Sequence, residues 1–175
     1  MTKATNIFIV GGMGVGKTTL GRQLSKELHL DFYDSDQEII AKTGADIPWI
    51  FDLEGEEGFR KREEQAIAAL TAKNGIVLAT GGGAVIKAEN RQALRANGVV
   101  IYLTASVDSL LERTAKSKNR PLLANDNRRQ ILEQLLIKRD PLYREVADLV
   151  YDTDDYTTQR LVSRIKRDLK KLCNT

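Results

Sequence analysis

Gly11-Gly12-Met13-Gly14-Val15-Gly16-Lys17-Thr18 follows the apolar run Ile7-Phe8-Ile9-Val10 and precedes Leu20, Leu24 and Leu28, which recur every fourth residue. Strand, glycine-rich turn and helix in that order complete the P-loop pattern G-x-x-x-x-G-K-[ST] in the context it requires. Glycines let the backbone turn its N–H groups inward around phosphate oxygens, and the helix that follows adds its N-terminal dipole. Lys17 is positioned to reach the β- and γ-phosphates and Thr18 to ligate a Mg²⁺ ion between them. A nucleoside triphosphate is therefore the expected ligand, held by Gly14, Val15, Gly16, Lys17, Thr18 and Thr19.

Outward from this motif, short runs rich in β-branched residues recur at Phe32–Tyr33, Ile76–Ala79, Val99–Leu103 and Leu149–Tyr151. Helical spacing lies between them and returns in Leu161, Ile165 and Leu169. Strands alternating with helices predict an α/β fold: a five-stranded parallel sheet covered by helices on both faces, with ligands gathered at the carboxyl ends of the strands. The 175 residues, 42% of them hydrophobic, suffice for a single domain over 1–175. A formal charge of +3 is mild, and no aromatic–basic interleaving points to nucleic acid. Cys173, the one cysteine, provides neither a disulfide nor a metal cage. The N-terminal apolar run is too short for a signal-peptide core or a membrane span, so a cytoplasmic protein without membrane or nucleic-acid partners is expected.

The ends of the strands hold the candidate chemistry. The second strand runs into Asp34-Ser35-Asp36, and aspartate at 36 would also cap a helix beginning near Gln37. The third strand runs into Gly81-Gly82-Gly83, which allows close approach of a substrate or a backbone. Arg60 and Arg139 offer planar forks for carboxylate or phosphate, and a helix is expected to stop at the Asp140-Pro141 step. Lys116 to Arg129 carries five basic residues around Arg120-Pro121 in a turn-prone stretch, read either as an exposed loop or as a lid over 114–126. Trp49 and Phe51 suit a pocket wall or the core, and the six basic residues from Arg160 to Lys171 a solvated helix face. A nucleotide site beside a pocket with an acid, glycine backbone and two arginines calls for an acceptor that combines hydroxyls with a negative charge.

In order along the chain, the P-loop, Phe32-Tyr33-Asp34-Ser35-Asp36, Gly58-Phe59-Arg60, Gly81-Gly82-Gly83, Arg120-Pro121-Leu122 and Arg139-x-Pro141-Leu142-Tyr143 resemble the bacterial shikimate kinases. Thr18 stands where serine is common in that family. The resemblance implies transfer of the ATP γ-phosphate to the 3-hydroxyl of shikimate, with one Mg²⁺ ion; a monomer is expected because the small domain offers no identifiable dimerisation device. It implies the three-layer fold of the nucleoside monophosphate kinases with strand order 2-3-1-4-5, a substrate-binding helical segment over 37–61, and the 114–126 lid. By the same resemblance Lys17, Asp36 and Arg120 are catalytic, Thr18 and Asp34 serve the metal, and Arg113 lies against adenine while Arg120 reaches the ATP phosphates. Asp36, Arg60, Arg139 and Gly81 to Gly83 hold shikimate between Phe51 and Phe59. Kinases of gluconate or of nucleoside monophosphates on the same scaffold are the nearest alternatives. A nucleotide-dependent switch is a third, although no Asn-Lys-x-Asp stretch supports a guanine-specific one.

Overall fold

Along the first strand, Ile7 and Ile9 project into one hydrophobic cluster and Phe8 and Val10 into another, so the strand is buried on both faces. That pattern belongs to a parallel sheet with helices on each side. The computed structural model describes residues 5–115 and 127–174. It contains β1 (Ile7–Gly11), α1 (Lys17–Leu28), β2 (Asp31–Asp34), α2 (Ser35–Thr43), α3 (Ile47–Thr71), β3 (Ile76–Ala79), α4 (Ala88–Asn97) and β4 (Val99–Thr104). α5 (Val107–Thr114), α6 (Arg128–Val146), β5 (Leu149–Asp152) and α7 (Thr158–Cys173) complete it. The five strands pair in parallel in the order β2-β3-β1-β4-β5, as expected.

α1 and α7 cover one face through Leu20, Leu24, Leu161, Ile165 and Leu169. α3, α4 and α6 cover the other through Ile67, Leu70, Leu94, Tyr143 and Val146. Each fully buried leucine or isoleucine in these layers contributes about 1.5–3 kcal/mol by leaving water. The chain leaves β1 through α1 on the first face and leaves the neighbouring β3 through α4 on the second. The carboxyl ends of β1 and β3 therefore diverge, and a crevice opens between them. A third cluster, with Ile39, Ile50 and Phe59, packs α2 against the first half of α3 beside that crevice.

Two local features depart from the sequence-based expectation, the end of α6 and the place of Trp49, and a bend in α3 adds to what the sequence did not signal. The helix predicted to stop near Pro141 continues to Val146: the proline removes only the donor that would meet the carbonyl of Ile137, and Ile137 is exposed, so water can serve that group. α3 bends at Gly55, where φ is +70°. Trp49 is 58% exposed and belongs neither to the core nor to the crevice wall. Among the described residues no helix is long and apolar enough to cross a membrane.

Candidate active site

Gly14 and Gly16 have φ of +78° and +99°, a region that side chains disfavour, and these turns carry the backbone around the mouth of α1. No side chain caps the first turn of α1, so its N–H groups face the crevice for an anion. Lys17 Nζ donates to the carbonyls of Gly11 and Gly12, each at 2.8 Å, which holds the ammonium at the loop. Thr18 Oγ1 donates to Asp34 Oδ2 at 2.7 Å.

Asp34, not Asp36, caps α2: its Oδ1 accepts from the N–H groups of Asp36 at 2.9 Å and Gln37 at 3.2 Å. One carboxylate thus joins the P-loop to α2, and Asp36 is left in the first turn with its side chain toward the glycine turn. A methyl group at Gly81 would stand 2.8 Å from Asp36 Oδ1 and 3.0 Å from Glu63 Oε2, so only glycine admits both carboxylates. Thr18 and Asp34 are hard oxygen donors of the kind Mg²⁺ prefers, and Asp34 can hold the ion directly or through water. No group of three or more His, Cys, Asp or Glu side chains gathers as a cage among the described residues, so such an ion would take its remaining ligands from phosphate and water.

Arg60 and Arg139 are both buried. Arg60 is held by Glu63 Oε1 at 3.0 Å and by Glu56 Oε1 at 3.2 Å, and its guanidinium lies over the Phe59 ring, which packs on Phe51 at a centroid distance of 4.9 Å. Arg139 faces Gly82 from α6. One turn later Tyr143 donates to the Gly82 carbonyl. Burial pushes the Tyr143 phenol up to about 12, against the pull of the Arg139 cation, so at neutral pH it remains a donor. Glu63, absent from the sequence-based candidates, is 1% exposed with Oε2 unpaired. Burial raises its carboxyl above the ordinary range, Arg60 opposes that, and the like charge of Asp36 adds to it. A buried acceptor without a donor invites a hydroxyl from a ligand.

These groups line one cavity of about 420 Å³, which includes Gly14, Gly16, Lys17, Thr18 and Thr19 on one side. Asp36, Phe51, Phe59, Arg60, Arg139 and Gly81 to Gly83 stand on the other. Arg113 borders this cavity and an adjoining one of about 330 Å³, where Val15, Leu103, Thr153, Tyr156 and Thr158 form the walls. It donates to the carbonyl of Val15 at 3.2 Å and lies 3.9 Å from Asp154. The sequence offered no signal for Thr153, Tyr156 and Thr158, which topology alone brings to the P-loop. Arg120 and the 116–126 part of the lid lie outside the described residues. A larger apolar hollow of about 490 Å³ lies at the opposite end of β1, beside Ile7, Leu28 and Leu169, away from all the phosphate-binding groups.

Comparison with known proteins places the sequence and the fold among the shikimate kinases. A family model for shikimate kinase matches residues 13–170. A shikimate kinase of Alteromonas mediterranea is 54% identical over 165 residues, covering 94% of this chain and 96% of that one. One from Pseudomonas aeruginosa is 55% identical over 167 residues, covering 95% and 97%. The solved structure of the Acinetobacter baumannii shikimate kinase in complex with shikimate superposes with a TM-score of 0.94 at 49% identity, covering 96% of this chain and 94% of that one.

Proposed function

The chain belongs to the shikimate kinase family and phosphorylates shikimate with ATP, and we propose that it does so at the 3-hydroxyl through the residues gathered in the 420 Å³ cavity. The observation that carries the assignment is the convergence of Asp36 from α2, Arg60 from α3 and Arg139 from α6 on the glycine turn, opposite the P-loop. Two buried arginine forks match a carboxylate, and the facing acids Asp36 and Glu63 match ring hydroxyls. Segment 37–61 acts as the acceptor-binding arm, and Phe51 and Phe59 wall the ring.

Phosphoryl transfer requires the acceptor oxygen in line with the γ-phosphate and a cationic, donor-rich surround for the charge that spreads over the transferred group. Asp36 orients the 3-hydroxyl and accepts its proton as the new O–P bond forms and the bond to ADP breaks. Lys17 and the backbone N–H groups of residues 14–19 take up charge on the phosphates, and Arg120 joins them from the lid. Arg113 and the 330 Å³ cavity receive the adenine end of ATP. Thr18 and Asp34 would hold Mg²⁺, which would offset the negative charge of the phosphates.

A coupled assay of ADP release with ATP, Mg²⁺ and shikimate, beside gluconate, AMP and a control without acceptor, tests the assignment. Stimulation by shikimate alone is expected. Stimulation by another acceptor would overturn the pocket assignment, and equal ADP release without an acceptor would favour a nucleotide switch.

A further inference from the structure

The glycine turn Gly81–Gly83 is a wall of the acceptor site with no side chains of its own, so its position must be set by what binds its backbone. Within the turn the Ala84 N–H donates to the Gly81 carbonyl at 3.0 Å and the Ile86 N–H to the Gly83 carbonyl at 3.1 Å, and two buried hydroxyls tie it to other elements. Ser35 Oγ accepts from the Gly81 N–H at 2.9 Å, and Tyr143 Oη donates to the Gly82 carbonyl. Both side chains are almost fully enclosed. Ser35 stands between Asp34 and Asp36 at the head of α2, and Tyr143 lies one helical turn beyond Arg139 on α6. Each tether therefore starts on an element that also delivers a charged group to the acceptor.

We infer that Ser35 and Tyr143 are positioning residues that hold Gly81–Gly83 between Asp36 and Arg139 and thereby set the width of the acceptor site. The inference rests on the acceptor assignment made above. The turn is in contact with both neighbours: a methyl group at Gly82 would meet Arg139 Nη1 at 3.6 Å, and one at Gly81 would meet Asp36. Any drift of the turn changes the space left for a ligand. β3 ends at Ala79, and Thr80 is the last residue bound to β1, through its N–H and its hydroxyl to the Ile9 carbonyl at 3.1 and 2.9 Å. Beyond Thr80 the sheet no longer holds the chain; the turn closes on its own backbone, Ala84 and Val85 anchor its far end in the core, and the two hydroxyls fix it relative to α2 and α6.

Tyr102 supplies an internal control. Its ring stacks on Tyr143 with centroids 4.8 Å apart, but its hydroxyl donates to Asp140 at 2.7 Å, outside the cavity. Tyr143→Phe keeps the stacked ring and removes the tether together with the hydroxyl's hydrogen bond to Arg139, whereas Ser35→Ala removes the other tether and leaves Arg139 untouched. The experiment compares Tyr143→Phe, Ser35→Ala, Tyr102→Phe and Arg139→Lys, with shikimate varied at saturating ATP and ATP varied at saturating shikimate. Loss of one such hydrogen bond should raise the KM for shikimate about tenfold in Tyr143→Phe and in Ser35→Ala and leave the KM for ATP within about twofold of wild type. Tyr102→Phe should leave both constants unchanged. An unchanged shikimate KM in either tether variant, with Arg139→Lys raised, would overturn the inference and spare the acceptor assignment. An equal rise in Tyr102→Phe would overturn it as well, because ring packing would then be the cause. If Arg139→Lys also leaves the shikimate KM unchanged, the acceptor assignment falls and the inference with it. Should Tyr143→Phe fail to fold, Ser35→Ala decides by the same criterion.

Discussion

Gly83→Ala isolates the placement of Arg60 without touching its charge. A methyl group at Gly83 would stand 2.5 Å from Arg60 Cζ and 2.6 Å from Nη2. Non-bonded heavy atoms rest at about 3.5–4.0 Å, so the guanidinium must retreat by about 1 Å. It is not free to do so quietly, because its two terminal nitrogens are held by Glu63 and Glu56 and its side chain is only 10% exposed. Displacing a positioned group by about 1 Å costs on the order of 10²-fold in kcat/KM, or about 2.7 kcal/mol of transition-state stabilisation. Stability should change little: the backbone at Gly83 is not left-handed, and the gain of about 0.4–1 kcal/mol from a stiffer unfolded chain opposes the local crowding. The assay is ADP release at fixed saturating ATP with shikimate varied, beside a thermal melt. The expected signature is a roughly 10²-fold loss in kcat/KM for shikimate, an unchanged KM for ATP and a near-native melting temperature. A kcat/KM within about threefold of wild type would refute the reasoning, since Arg60 would then either move without consequence or have no part in holding the acceptor.

Asp36→Asn keeps the shape of the side chain and removes its basicity, so kcat/KM should fall by about 10²-fold or more; wild-type turnover would remove Asp36 from the mechanism. Asp34→Asn disturbs the partner of Thr18, and the Mg²⁺ concentration giving half-maximal rate should rise about tenfold or more, an outcome read directly from a metal titration and contradicted by superimposable curves. Glu63 has a folded-state value raised above its ordinary 4.5, so its contribution to stability is complete below that pH and is lost as pH rises toward the folded value. The stability difference between wild type and Glu63→Gln, followed by urea midpoints upward from pH 4.5, should therefore shift against wild type as pH rises; a difference that stays flat would contradict the raised value.

The strands were legible because apolar, β-branched runs between glycines and acids have few other uses. Their ends were less so. Asp34, Thr104 and Asp152 extend β2, β4 and β5 although they are polar, since the ladder is made by backbone and continues until the chain turns. The P-loop, Asp36 and the two arginines were readable as chemistry because motif spacing reports which groups reach a phosphate. Glu63 was hidden for the opposite reason: within the unbroken charged run from Arg60 through Glu64, nothing in the sequence separates a solvated acid from a buried one until α3 turns that face inward. Ser35 and Tyr143 stand inside motifs the sequence displays, but their roles were not legible, because a hydroxyl has no periodicity and its value depends on a backbone group 46 or 61 residues away. Asp34 and Asp36 look equivalent in sequence, and only the start of α2 at Ser35 assigns one to the cap and turns the other toward the glycine turn.

The double use of Asp34 predicts that the nucleotide side and the acceptor side depend thermodynamically on each other. Oδ2 holds the P-loop threonine and Oδ1 holds the first turn that carries Asp36. With Thr18 and Asp36 in their proposed roles, a ligand that draws on one oxygen should alter the other, and a free-energy coupling between the two ligands through this side chain is the expected result. Such a coupling is reciprocal: the factor by which nucleotide changes the dissociation constant of shikimate must equal the factor by which shikimate changes that of nucleotide. Closing that cycle with four separate binding titrations would measure the coupling, and repeating it with Asp34→Asn would give the share carried by this carboxylate.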